Sequence, residues 1–440
     1  MEAKFVNYKL IIILFFIINT SLIFFENTRY YYIWFLLVIF FINILAKIIF
    51  FFLSLSSVDK KYNLNNIKNI NDSNLPIYTI LIALHKEDFN VIRNLINAIY
   101  NFDYDLNKLD IIFLLEEDDI YTINNVKLLE NLFKFNYIIV PKSDIKTKPN
   151  ALNYGLKFAK GKYLVIYDAE DIPEPYQLKK SVYEFEKLPE EYFCLQAKLN
   201  FYNKNENIIT KCFSIEYALW FNYFINVFSK YFNFFTIGGT SNHFKIDKLK
   251  QINGWDAYNV TEDAEISVRA LKNNFKIKTL NSFTLEESVK DLKSWFKQRK
   301  RWIKGYMQTY LQYINTPLHL YKKVGSKNFL LFNYIVGFSF LIPIFYLFFF
   351  IAYMFCLDSF SQTQIIINRY IYRTYILYTI VSSFIFIKTN KHINSKSLFH
   401  IFIFIIYSHF YTIAVYLSLI ELIKKPFSWN KTEHNKSRYN

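Results

Sequence analysis

The sequence predicts an α/β domain set between N- and C-terminal transmembrane helices. Three observations carry that reading. Apolar runs that approach or exceed the length of a spanning helix, about 20 residues, lie at the two ends of the 440-residue chain. The middle, from about Ser56 to Ser326, holds most of the acidic residues. Within that middle, short strand-like runs alternate with segments of helical spacing.

The elements follow in chain order. Leu10 to Phe25 and Tyr30 to Leu55 read as a transmembrane hairpin. A secretory signal is the other reading of the first run, but no small-x-small cleavage site follows it. Ile77–Leu84, Asp110–Leu115, Tyr137–Val140 and Tyr163–Tyr167 read as strands, and Phe89–Tyr100 and Lys148–Ala159 as helices. Repeated strand–helix–strand units give a mostly parallel sheet with helices on both faces. Ligands of such sheets bind outside the carboxyl ends of the strands, which is where the acidic clusters fall. Apolar runs return at Phe329–Cys356, which contains Pro343, at Tyr370–Ile387 and at Leu398–Ile423.

The expected division is therefore two transmembrane helices in residues 1–55, a soluble domain in 56–326, transmembrane or interfacial helices in 327–425 and a tail in 426–440. The positive-inside rule puts the loop Lys388–Lys396 and the tail on the cytoplasmic side with the middle domain. Three simple C-terminal spans would leave the tail outside. Either Phe329–Cys356 or Leu398–Ile423 is then a hairpin, re-entrant or interfacial, for a total of about four to six spans.

Composition narrows the partners. Apolar residues make up 53% and aromatics 20%, high for a soluble protein. The net charge is +16, and the Lys and Arg residues flank the apolar runs instead of forming a separate block. That distribution favours an anionic membrane surface over nucleic acid; a merely solubilising charge excess is the plain alternative. Three cysteines without paired spacing argue against a disulfide framework or a zinc site.

Five motifs carry chemistry. Asp168-Ala169-Glu170-Asp171 follows a strand, and its crowded carboxylates suit Mg²⁺ or Mn²⁺ bridging the phosphates of a nucleotide; a solvated helix start is the plain alternative. Thr261-Glu262-Asp263, after Gly254-Trp255-Asp256, offers a carboxylate to take a proton from an attacking hydroxyl. Its alternative is a capping box with Thr261 capping a helix to about Asn273. In Gln298-Arg299-Lys300-Arg301-Trp302, with Trp295 upstream, the cations suit a diphosphate and Trp302 a sugar ring; a basic juxtamembrane surface suits Lys297, Lys300 and Lys304 as well. Lys148-Pro149-Asn150-Ala151-Leu152-Asn153 puts a Lys ahead of a helix, where it can reach a phosphate or lie on the surface. Ile237-Gly238-Gly239-Thr240-Ser241-Asn242-His243 permits close backbone approach to a ligand, or forms a plain turn.

In this order, from about Ile77 to Gln308, the motifs resemble the cellulose synthase superfamily within the family 2 glycosyltransferases. The segment Pro426-Phe427-Ser428-Trp429-Asn430-Lys431-Thr432-Glu433-His434 resembles the C-terminal signature of its bacterial members. The resemblance implies a GT-A (nucleotide-diphospho-sugar transferase) domain at the cytosolic face of a multi-pass protein of the inner or plasma membrane. It implies Asp168 near the nucleotide and, with Glu170, on a Mg²⁺ or Mn²⁺ ion. Asp263 would be the catalytic base, beside Glu262. Lys148 would contact the nucleotide, with His85 and Glu87 in the first donor loop. Glu116 or Glu117 would stand where the family has an Asp that reads uracil. Gln298, Arg301 and Trp302, with Gly239, Thr240 and Ser241, would face acceptor and diphosphate.

The chain departs from the family pattern in three places: Ala83–Glu87 lacks the usual Pro and Tyr, the uracil position holds Glu, and Glu170 replaces the second Asp. The expected activity is inverting transfer of glucose from UDP-glucose onto a growing β-linked polysaccharide. The expected partners are the nucleotide-sugar, a glycan acceptor and the lipid bilayer, with no nucleic acid and with accessory subunits left open. Non-processive transfer to a lipid carrier or glycolipid is the runner-up, against which Gln-x-x-Arg-Trp weighs. A non-catalytic channel or scaffold is the third reading, against which the filled acidic positions weigh.

Overall fold

The computed structural model describes residues 6–57, 62–143, 146–389 and 395–427. They fall into two compact units. One takes the described residues of Met1–Ser56, Asn205–Leu219 and Lys290–Glu433, and the other those of Ser57–Lys204 and Trp220–Val289.

The second unit is built on one sheet. Its strands are β1 (Tyr78–Leu84), β2 (Leu109–Glu116), β3 (Asn136–Val140), β4 (Tyr163–Ile166), β5 (Ile172–Pro173), β6 (Tyr192–Phe201), β7 (Asn242–Lys245) and β8 (Lys276–Glu286). The order across the sheet is β3-β2-β1-β4-β7-β6-β8-β5. Strands β3, β2, β1 and β4 are parallel. β7 runs against both β4 and β6, β8 is parallel to β6, and β5 is antiparallel to β8. The sheet is thus mostly parallel, as the sequence predicts, with β7 and β5 as the reversed strands.

Side chains of a strand alternate between faces. Tyr78, Ile80, Ile82 and Leu84 of β1 share a core with Ile92, Leu95, Ile96 and Ile99 of the helix Phe89–Tyr100. The helix Lys148–Leu156 lies on the opposite face, because its Gly155 rests on Leu114, whose neighbours Phe113 and Leu115 belong to the first core. A Cβ at Gly155 would stand 2.6 Å from a Leu114 methyl, so any larger residue there would force Leu114 to shift. Both faces of the central strands are covered, which explains why β1 and β2 read as near-continuous apolar runs. Each fully buried Ile or Leu there contributes about 2 kcal/mol of burial free energy.

The other unit is helical. Among the described residues, three of its helices are long and apolar enough to cross a membrane: Glu26–Leu55, Pro317–Phe355 and Phe402–Lys424. Tyr8–Phe24 is apolar but shorter. Gln362–Thr389 forms a further helix. Gly325, at φ 77°, breaks the helical path inside Pro317–Phe332. Two stretches expected in the soluble domain, Asn205–Leu219 and 290–326, group with these helices. Most of the loop that carries the orientation argument, residues 390–394, and the tail residues 428–440 with most of the C-terminal signature lie outside the described residues.

A polar network is sealed within the sheet. His243 on β7 is fully buried; its Nδ1 lies 2.7 Å from the Tyr78 hydroxyl and its Nε2 3.2 Å from Gln177 Oε1. The Gln177 amide group donates to Ser282, Phe283 and Thr284, so its oxygen faces the ring and assigns the imidazole proton to Nε2. Burial pulls the His243 pKa from 6.5 down to about 3. In the unfolded chain it titrates near 6.5, so between those values the unfolded state binds the extra proton. Its stabilising contribution is complete above about pH 6.5 and falls by up to about 1.4 kcal/mol per unit below it. His243→Gln should flatten the decline of the thermal unfolding midpoint between about pH 6.5 and 4; parallel declines would contradict the assignment.

Candidate active site

Strand β4 ends at Ile166, and the chain turns at once. The buried Asp171 carboxylate closes this turn: its Oδ2 accepts from the Asp168 backbone N–H at 2.8 Å and from the Thr240 hydroxyl. Asp171 N–H in turn donates to the Asp168 carbonyl at 3.2 Å. The effect is to hold Asp168 and Glu170, both half-buried, at the carboxyl end of the strand. Burial, then Asp168 and Glu170, push the Asp171 carboxyl well above the usual carboxylate range.

Lys148 answers this negative charge. It opens the helix Lys148–Leu156, which has Pro149 in its first turn. Its ammonium pairs with Asp168 and donates to the Gly239 carbonyl at 2.7 Å. Only 15% of the Lys148 side chain is exposed, so it is not a surface lysine. Burial draws its pKa down, but Asp168, Glu262 and Asp171 outweigh that, and the net displacement is upward.

Gly239 brings in the third motif. A Cβ at Gly239 would stand 3.6 Å from Asp263 Oδ2. One residue therefore takes the Lys148 ammonium on its carbonyl and borders the Asp263 carboxylate on its Cα. Asp263 sits in the first turn of the helix Glu262–Lys272. Its carbonyl accepts from Ser267, whose hydroxyl in turn accepts from the Ile237 N–H at 3.1 Å. That pair fixes the helix start to the glycine loop. The capping alternative fails in detail: Thr261 occupies the N-cap position, but its hydroxyl makes no cap bond and approaches Asn259 Oδ1 at 3.4 Å. Asp168, Glu262 and Asp263 are thus gathered around Lys148 and Gly239.

The Lys-x-x-Ala-Leu-Asn motif has a second task. Asn153 accepts from Trp255 N–H at 2.8 Å and donates to Trp255 carbonyl at 2.7 Å. This closed pair anchors the Gly254-Trp255-Asp256 loop, where Gly254 has φ 62°.

The first loop and the β2 acids also meet. Asp119 accepts from the Lys86 N–H at 2.5 Å, and its Oδ2 lies 3.7 Å from His85 Nδ1. Glu87 N–H donates to Thr122 at 3.0 Å. Glu116 is buried at the end of β2; burial first, then Asp118, raises its pKa. Glu117 is exposed and accepts from Lys142 N–H at 3.0 Å. Ser241 is fully buried at φ 55°, its hydroxyl 2.6 Å from Thr284.

Gln298, Arg301 and Trp302 belong to the helical unit, on Leu292–Ile314. Gln298 is buried, and its Oε1 has no hydrogen-bond partner among the described residues. Trp302 is half-buried, its ring 6.0 Å from Phe213 and 6.2 Å from Tyr217. The basic-surface alternative fails for Lys304, which is fully buried and paired with Glu421 at 2.7 Å; Lys300 pairs with the same carboxylate at 3.2 Å.

Glu286, at the end of β8, was not singled out by the motifs. Burial, then Asp171, Asp168 and Glu170, raise its pKa well above the carboxylate range, and Lys148 opposes them. Its signal was the pair Glu286-Glu287 closing a strand, the same pattern as at β4. One buried oxygen on each of Asp171 and Glu286 has no partner among the described residues. Among the described residues no three His, Cys, Asp or Glu side chains gather as a closed metal cage. The surplus of carboxylates instead fits a hard cation held by one or two of them and completed by phosphate oxygens.

Three comparisons show what the chain is similar to. A family model described as glycosyl transferase family group 2 matches residues 163–422. The chain is 25% identical over 398 residues to the probable glycosyltransferase YdaM of Bacillus subtilis (strain 168), covering 84% of this chain and 89% of that protein. The structure of the mannosyltransferase PcManGT from Pyrobaculum calidifontis, in complex with GDP-Man and Mn²⁺, is similar with a TM-score of 0.57. That likeness spans 88% of this chain and 98% of the other at 14% identity, and is one of fold.

The charge balance can be measured. Lys148→Met should cost about 1–3 kcal/mol, because it leaves the half-buried Asp168 and the buried Glu262 without their cation. Glu286→Gln, which imitates the protonated acid, should leave stability at pH 7 unchanged or raise it. Thermal unfolding of the purified chain compares the two; equal losses would contradict this assignment of charges.

Proposed function

The chain is a member of glycosyl transferase family group 2 with a GT-A fold, and from that premise we propose that it extends a β-linked polysaccharide at the cytoplasmic face of a membrane. The reaction is a one-step inverting displacement. An acceptor hydroxyl oxygen bonds to the anomeric carbon, the bond from that carbon to the nucleoside diphosphate breaks, and Asp263 receives the hydroxyl proton. Asp263 is the choice because it borders Gly239, whose carbonyl holds Lys148 and through it Asp168. That convergence is the observation that carries the reading.

Lys148 and Asp168 are assigned to the donor, with His85, Glu87 and Glu116 or Glu117 on its nucleotide side. Asp168 and Glu170 would hold Mg²⁺ or Mn²⁺, which when bound neutralises charge on the departing diphosphate. Gln298, Arg301 and Trp302 are assigned to acceptor and diphosphate. UDP-glucose is the donor we favour, on the family resemblance of the motifs. GDP-mannose is the natural control, since the P. calidifontis enzyme was solved with GDP-Man and Mn²⁺. The three long apolar helices support the membrane location.

Membranes containing the purified chain should turn over one nucleotide-sugar of a panel, in the presence of Mg²⁺ or Mn²⁺, and yield a ladder of oligomers. A single added sugar would favour transfer to a lipid carrier instead. Asp263→Asn should lower kcat by about 10²- to 10⁴-fold with donor affinity kept; substantial residual turnover would refute the base assignment.

A further inference from the structure

Stacking a sugar on Trp302 requires the indole to be held still. Trp295, Arg299 and Trp302 are spaced by four and three residues, so they share one face of the helix Leu292–Ile314. Arg299 is buried. Its guanidinium lies 4.7 Å from the Trp302 ring, 4.5 Å from Phe213 and 5.4 Å from Trp295. A cation on an indole face attracts the ring, most strongly where water is excluded.

The cation is itself fixed. Arg299 Nη2 lies 2.7 Å from Glu216 Oε2, and the same oxygen accepts from the Tyr407 hydroxyl at 2.7 Å. Tyr407 in turn accepts from Trp295 Nε1–H at 2.8 Å. The bonds run Trp295 to Tyr407 to Glu216 to Arg299 and close on one helix. Glu216 and Tyr407 come from the helices Ile208–Ala218 and Ser395–Lys424. Arg299 Nε has no partner among the described residues, so the guanidinium is oriented by this single charged bond and the rings around it.

We propose that Glu216, Arg299 and Tyr407 are positioning residues that hold the Trp302 indole for the acceptor sugar. This rests on the assignment of Trp302 to the acceptor. None of the three need touch substrate; they act through the ring.

The test uses the full-length chain in lipid nanodiscs with Glu216→Gln and Tyr407→Phe, which remove a charge or a hydroxyl with little change of shape. Trp302→Phe isolates the Trp302 part of the tryptophan emission. Acrylamide quenching of that part should rise in both variants. Transfer is assayed with the nucleotide-sugar selected by the panel and an oligosaccharide of the same sugar. Acceptor KM should rise roughly three- to tenfold, while kcat and donor KM stay within about twofold. In the Trp302→Phe background neither variant should raise acceptor KM further. Unaltered quenching overturns the positioning role, whatever the kinetics. Increased quenching with an unaltered acceptor KM overturns the acceptor assignment of Trp302, and the functional part of the proposal with it.

Discussion

A single buried ammonium organises the sheet unit's site. Lys148 meets Asp168 from the end of β4, the Gly239 carbonyl from the loop before β7, and the field of Glu262 from the start of the helix Glu262–Lys272. Unpaired, those carboxylates could not share so small a volume, since an uncompensated buried charge costs several kcal/mol. The remaining negative charge is met in another way. Asp171 and Glu286 are pushed toward their protonated forms by burial and by their neighbours. Asp168 and Glu170 stand at the end of β4, and Asp263 in the first turn of the helix Glu262–Lys272.

Backbone, as much as side chain, makes the convergence possible. Gly239 serves two partners, its carbonyl accepting from Lys148 and its Cα side bordering the Asp263 carboxylate. Asp171 spends its carboxylate on a backbone N–H and the Thr240 hydroxyl, so the turn that presents Asp168 is closed by a residue of the same motif. Asn153 does the same for the loop ahead of Thr261 by closing on both polar groups of Trp255. The turn at Asp168 is therefore supported from within its own motif, and the loop ahead of Thr261 from the motif that begins at Lys148.

Much of this was legible in the residues. The strands β1, β2 and β4 stood out because both faces of the sheet are buried there, which leaves uninterrupted apolar runs; the edge strand β3, where Ile139 is exposed, stood out only by its short apolar run, and the helix Phe89–Tyr100 by its helical spacing. β7 did not, being four residues long and set by its partners, with His243 and Lys245 in it. The carboxylates after β2 and β4 were readable because they are grouped directly after apolar strands. Depth was not readable. Lys148, Arg299 and Lys304 look alike in a basic sequence, yet each is buried against its own acid: Asp168, Glu216 and Glu421. Glu286 was missed because its partners are more than a hundred residues away in the chain. The grouping of Asn205–Leu219 with the helical unit was equally hidden, since no long apolar run marks it.

The most direct measurement is a double-mutant cycle between Lys148→Met and Asp168→Asn, read as unfolding free energy of the full chain. If the ammonium organises the carboxylates, Asp168→Asn should remove much of the penalty of Lys148→Met, with a coupling of about 2 kcal/mol. Losses that add to within about 0.5 kcal/mol would mean that the two groups act independently, and the charge balance described for this site would be contradicted.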